Sequence, residues 1–180
     1  IIAVDSVAGE AVNYFKILPE LWFVTPKSGT VGSLVTIRGT GYAANEMIYI
    51  HFGTTKTITT VSSATEGSCT TPFTINTQHY GTTTIMALGL NSSSAINHYK
   101  ILTDLWFVNP PAGTVGTIVT IRGTGYSVGE VRIDFGITRT ITTTQAVAEG
   151  SFTTTWTVDS QPVGITTIAA TGIEGNAGIN

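Results

Sequence analysis

Few side chains in this 180-residue chain are equipped for chemistry. The histidines are His51, His79 and His98, and Cys69 is the single cysteine. A metal or nucleophilic site draws such residues from short, fixed spacings such as His-x-His or Cys-x-x-Cys, because the ligands must converge on one point. No such spacing occurs, and one cysteine excludes an intrachain disulfide. Asp5, Asp104, Asp134 and Asp159 are scattered, with no D-x-D-x-D calcium loop. The recurring acids Glu20 and Asp104 leave calcium at a domain junction as the one cation reading. Gly39-Thr40-Gly41 is followed by a short polar stretch and a strand, not by the helix that a phosphate cradle requires. No serine stands in a G-x-S-x-G turn. The expectation is therefore no catalytic residue, no cofactor and no metal. Two other features invite partners. Asn91-Ser92-Ser93 is the only N-x-[ST] sequon, a candidate glycosylation site at Asn91. Trp22 and Trp106, each in Leu-Trp-Phe-Val, are candidate interface aromatics or sugar platforms.

Those residues sit in a chain that composition marks as β. Hydrophobic residues make up 42% and charged residues only 11%, against about 25% in ordinary globular proteins. There are 34 Thr and 20 Gly, a β-branched and turn-rich mixture that suits strands. A net charge of −3 without a basic cluster excludes nucleic acid as an expected partner. No apolar run approaches the ~20 residues of a membrane span. The chain opens on Ile1-Ile2-Ala3-Val4, with neither Met nor a basic stretch, so the expectation is a processed chain or a piece of a longer one.

An internal repeat organises the whole. KILPELWFVTPKSGTVGSLVTIRGTGYAANE (16–46) matches KILTDLWFVNPPAGTVGTIVTIRGTGYSVGE (100–130) at an offset of 84. One residue is lost near Met47, and the offset falls to 83. Asn13, Asn97 and Asn180 are equivalent positions. Residues 1–18 match 85–102, which places them as the final hairpin of a preceding repeat or as an exchanged strand segment, with Ile1, Ile2 and Val4 as candidate interface residues. Residues 19–102 and 103–180 form the two expected domains.

Period-two alternation assigns the faces. Ile48, Ile50 and Phe52 match Val131, Ile133 and Phe135 as a core face, whereas Tyr49 and His51 change to Arg132 and Asp134 and read as solvent positions. Cys69 takes the place of Phe152 and reads as a buried hydrophobe. Strict alternation sets Leu21 and Phe23 on one face and Trp22 and Val24 on the other. The Thr runs 57–60 and 140–144 read as solvent faces, uncharged but wet. Arg38/Arg122, Glu46/Glu130, Glu66/Glu149, Lys16/Lys100 and Lys56/Arg139 keep their sign, which predicts specific pairs or inter-domain contacts.

The turn Pro26-Lys27-Ser28-Gly29-Thr30-Val31-Gly32, the strand Val35-Thr36-Ile37-Arg38-Gly39-Thr40-Gly41-Tyr42 and the later Phe52-Gly53 resemble IPT/TIG-type immunoglobulin-like domains of prokaryotic surface proteins. Pro110 to Gly116, Val119 to Tyr126 and Phe135-Gly136 repeat the pattern. The resemblance implies tandem immunoglobulin-like β-sandwiches and no shared catalytic residues. The expected function is non-enzymatic: a segment of an extracellular, cell-surface filament, stalk or sheath, self-associating as a homopolymer or forming part of a longer tandem array, with strand exchange as a candidate joint. Two alternatives stand beside it. One is an adhesin or carbohydrate-binding module with glycan partners. The other is a set of accessory domains of a secreted glycan-degrading enzyme.

Overall fold

The computed structural model describes residues 13–180, together with the backbone of residues 2–5 and 9–12. A first hairpin joins β1 (Ile2–Asp5) and β2 (Gly9–Val12). Then come β3 (Glu20–Thr25), β4 (Ser28–Gly29), β5 (Leu34–Thr40), β6 (Met47–Phe52), β7 (Thr55–Ser62), β8 (Cys69–Thr74), β9 (Gly81–Gly89) and β10 (Ser94–Ile101). They form two sheets, ordered β3-β5-β8 and β4-β10-β9-β6-β7. The pattern recurs in β11 (Asp104–Asn109), β12 (Ile118–Thr124), β13 (Gly129–Phe135), β14 (Thr138–Ala146), β15 (Phe152–Thr157), β16 (Ile168–Gly172) and β17 (Ala177–Ile179). These make the sheets β11-β12-β15 and β14-β13-β16-β17. Among the described residues there is no helix. The protein is all-β, an immunoglobulin-like sandwich architecture in which each pair of sheets closes over alternating inward residues.

Each pair of sheets has its own core. The first contains Val35, Ile37, Ile48, Ile50, Phe52 and Ile85, all fully buried, and Cys69 lies within it as expected. The second contains Ile121, Val131, Ile133 and Ala170, likewise fully buried. The glycines of Gly-Thr-Gly serve two different needs. Gly41 (φ +82°) and Gly125 (φ +70°) take a left-handed backbone, and a Cβ there would stand 2.4 and 2.3 Å from the carbonyl oxygens of Leu18 and Leu102. Gly39 and Gly123 have ordinary backbones and instead make room for rings, that of Tyr42 at Gly39 and those of Phe152 and Tyr126 at Gly123. The peptide bonds before Pro26 and Pro110 are both cis.

Three expectations need correction. A β-bulge between Glu20 and Phe23, repeated between Leu105 and Phe107, inserts one residue into each strand. Leu21 and Val24 therefore point into the core, and Trp22 and Phe23 lie together towards solvent. The His51/Asp134 exchange is not free. His51 Nδ1 accepts from the backbone N–H of Thr57, and Asp134 Oδ1 from that of Thr140. Both threonines have left-handed backbones, φ 58° and 56°, so each exchanged side chain supplies an acceptor to a strained bulge. Finally, the recurring charges do not pair with one another. Among the described residues the one ion pair joins Arg132 to Asp134 at 3.3 Å. The Arg38 guanidinium instead lies over the Phe23 ring at 4.8 Å, and that of Arg122 over Phe107 at 4.7 Å.

Candidate functional site

Two kinds of surface stand out, one in each sandwich and one in the second alone. The shared one is built by the bulge. In the first sandwich Trp22, half exposed, packs against Phe23 with ring centroids 5.6 Å apart, and Arg38 covers Phe23 from β5. In the second, Trp106 and Phe107 stand 5.7 Å apart, and Arg122 lies 5.9 Å from the Trp106 ring as well as over Phe107. Each cluster is a pair of inclined rings, 58° apart in the first sandwich and 60° in the second, stiffened by a cation on the phenylalanine. Such a face takes apolar surface or the flat side of a sugar ring. Sequence singled out both tryptophans; the bulge that adds phenylalanine to them cannot be seen in alternation alone.

The second surface is a groove of about 840 Å³ at one end of the second sandwich. Its apolar walls include Val108, Val119, Phe135, Val158 and Ile168, and its rim carries Gly113. The same place in the first sandwich is filled by β10. There Tyr99 and Ile101 are buried, the Tyr99 ring stands 6.0 Å from Phe52, and Lys100 and Ile101 pair in parallel with Ser28 and Gly29. The N–H groups of Lys100 and Leu102 donate to the carbonyls of Lys27 and Gly29. Phe135, Val108 and Val158 are the counterparts of Phe52, Val24 and Ile75. The first three are only partly buried, whereas their counterparts are buried. Residues 164–167, equivalent to the start of β9, lie outside any strand, and Val163 and Ile165 are fully exposed.

The remaining candidates fall apart from these surfaces. Asn91 is exposed in the β9–β10 turn, where a glycan has room, although its backbone N–H donates to Glu46 at 2.7 Å. Ile1 lies outside the described residues; Ile2 and Val4 lie in β1, whose side chains are also outside them. Glu20 and Asp104 head β3 and β11 separately, and among the described residues no three His, Cys, Asp or Glu side chains gather as a metal would need. Between the sandwiches the Tyr80 N–H donates to the Tyr126 carbonyl at 3.2 Å, beside a small cleft lined by His79, Ser127 and Glu174.

Among the described residues Glu46 is the one buried carboxylate. It accepts from the N–H groups of Asn91 and Ala43 and from the Ser93 hydroxyl, which together hold its pKa below the ordinary carboxylate range against the cost of burial. Its counterpart is Gly129, not Glu130, because the repeat loses its residue before Glu46 rather than at Met47. In the second sandwich the acid comes from the turn instead: the Ser127 hydroxyl donates to Glu174 at 2.7 Å, and Asn176 fills the buried corner. Burial raises the Tyr42, Tyr126 and Cys69 pKa values, so these groups stay protonated at neutral pH.

This geometry is that of an immunoglobulin-like β-sandwich. Residues 22–100 match the IPT/TIG domain. No curated protein matches the chain in sequence. Among solved structures it is similar to the adhesin InvE of Yersinia pseudotuberculosis, with 14% identity, TM-score 0.40, and coverage of 87% of this chain and 56% of that one. SGBP-B from a complex xyloglucan utilization locus in Bacteroides uniformis is 17% identical, with TM-score 0.35 and coverage of 90% and 48%. The BSP domain of a biofilm-associated protein is 16% identical, with TM-score 0.31 and coverage of 87% and 28%. The chain thus spans about half or less of the length of these structures, and the likeness is one of fold.

Proposed function

We propose that the chain is a non-enzymatic structural segment of an extracellular, cell-surface assembly, in which immunoglobulin-like domains at 19–102 and 103–180 stand in series. The observation that carries this is the junction. β10 ends at Ile101 and β11 begins at Asp104, so tension passes from one core to the next through two residues, braced by the Tyr80–Tyr126 hydrogen bond. Short connections between independently packed cores suit a spacer or stalk. The Thr-rich strand faces keep such an array hydrated without the charge repulsion that would oppose packing side by side. Single-molecule stretching of the chain tests the reading: two unfolding steps of similar contour length support it. A single step, or extension without a force peak, refutes it.

A second reading has its own observation. The Trp22–Phe23 and Trp106–Phe107 faces point outward in both sandwiches and suit carbohydrate recognition in an adhesin. Binding to a glycan panel that vanishes in the Trp22→Ala, Trp106→Ala double variant supports this reading; an unchanged profile removes it.

A further inference from the structure

The groove of the second sandwich lies where β10 lies in the first, and the chain itself carries a sequence that fits it. Asn13-Tyr14-Phe15-Lys16-Ile17-Leu18 matches Asn97-His98-Tyr99-Lys100-Ile101-Leu102 position by position. In the first sandwich Tyr99 and Ile101 of that stretch are buried and complete the core. The matching residues at the head of the chain do the opposite. Tyr14, Phe15, Ile17 and Leu18 are 90, 85, 71 and 66% exposed, an apolar strip with no core of its own.

We propose that the groove takes an added β-strand from a second copy of the chain, namely its Tyr14–Leu18 segment, in the register that His98–Leu102 keeps in the first sandwich. This rests on the serial-array reading above and names its joint. The register follows from the pairing of β9 with β10, in which His98, Tyr99, Lys100 and Ile101 face Thr84, Thr83, Thr82 and Gly81. Tyr14, Phe15, Lys16 and Ile17 of the incoming copy then face Thr167, Thr166, Ile165 and Gly164, the stretch that lies outside any strand here. Phe15 enters against Phe135 as Tyr99 enters against Phe52, beneath the rim glycine Gly113 that corresponds to Gly29. Ile17 covers the place of Ile101. The Lys16 and Leu18 N–H groups meet the carbonyls of Pro111 and Gly113, as those of Lys100 and Leu102 meet Lys27 and Gly29. The donor's β1–β2 hairpin has the register that β16–β17 already fills in the acceptor, so insertion begins at Tyr14.

The joint also repeats the internal junction. In the first sandwich the filling strand runs on through Thr103 into β11; in the joint it runs on through Pro19 into the donor's β3. Successive copies stack head to tail at the spacing of the two sandwiches within one copy. The contact uses different surfaces on the two partners, so it extends instead of closing as a dimer. Main-chain pairing supplies the attachment, and the Phe15 and Ile17 pockets supply the register.

Cysteine cross-linking tests it in the whole chain. Lys100 pairs with Ser28, so the Lys16→Cys, Ala112→Cys double variant places two outward thiols side by side only across the joint. Mild oxidation is expected to give a ladder of disulfide-linked multimers. Adding Phe15→Asp and Ile17→Asp reduces the ladder at least tenfold; both positions are exposed, so the folded sandwiches are unaffected. The shifted pair Lys16→Cys, Thr114→Cys cross-links far less. Absence of the ladder, or a ladder indifferent to the aspartates or the shift, overturns the joint. It leaves the stalk reading standing, since an array made of one long polypeptide still shows two unfolding steps.

Discussion

Truncating Tyr99 to alanine in the first sandwich should recreate the opening that the second one has. The ring is 1% exposed and meets Phe52 nearly edge-on at 6.0 Å. Losing a buried aromatic of this size costs about 3–5 kcal/mol, the lost transfer energy plus the cavity left behind. The phenol oxygen has no hydrogen-bond partner, so Tyr99→Phe should change stability by less than about 1 kcal/mol. Urea unfolding followed by tryptophan fluorescence measures both. Trp22 reports on the first core, Trp106 and Trp156 on the second. With a denaturant slope of about 2 kcal/mol per M, the Trp22-linked midpoint should fall by about 2 M in Tyr99→Ala while the other transition keeps its place. A fall below about 0.5 M would refute the claim that this strand seals the core. So would an equal fall in both transitions.

Two further substitutions probe the local chemistry. Glu46 has a depressed pKa in the folded state, so its contribution is complete above the unfolded value and fades as pH falls through the folded one. Glu46→Gln should cost the first sandwich about 1–3 kcal/mol at pH 7, and the gap should shrink in denaturation curves taken below the ordinary carboxylate range; a gap independent of pH contradicts the assignment. Gly41→Ala sets a Cβ 2.4 Å from the Leu18 carbonyl at φ +82°, and should lower the first thermal transition by at least about 2 kcal/mol equivalent, with no change expected if the turn relaxes freely.

Much of this was legible in the residues, for a physical reason. Where one face of a strand is buried, alternation is enforced, so comparing Ile48-Ile50-Phe52 with Val131-Ile133-Phe135 reveals the core directly. The failures occur where the count of residues per strand changes. The bulge in β3 turns Phe23 outward beside Trp22, and no local propensity announces an extra residue. The lost residue near Met47 aligns Glu46 with Glu130 by sign, although pairing sets it opposite Gly129. Each carboxylate then found its own solution, Glu46 from the strand start and Glu174 from the turn. The stacked arginines were hidden for a related reason. In so charge-poor a chain their recurrence predicts specific pairs or inter-domain contacts, yet the bulge places aromatic rings within reach.

The two surfaces differ in how they scale, and that separates their roles. An aromatic face made by Trp, Phe and Arg occurs in each sandwich, so a partner that uses it gains contacts in proportion to the number of domains in series. Such a surface serves lateral contact or multivalent recognition. The groove occurs in one of the two sandwiches of this chain, at the end away from the junction, and its complement is carried at the head of the same sequence. Filled by a second copy as proposed, a surface of that kind acts along the axis and sets length, not avidity. Charge supports the division: with charged residues at 11% of the chain, neither surface must desolvate a cluster of like charges to meet another copy. Lys16 and Lys100 fit the same logic. Lys100 alternates with the buried Tyr99 and Ile101 and stays exposed, and Lys16 stands at the matching place between the exposed Phe15 and Ile17, where its charge keeps an otherwise sticky segment soluble.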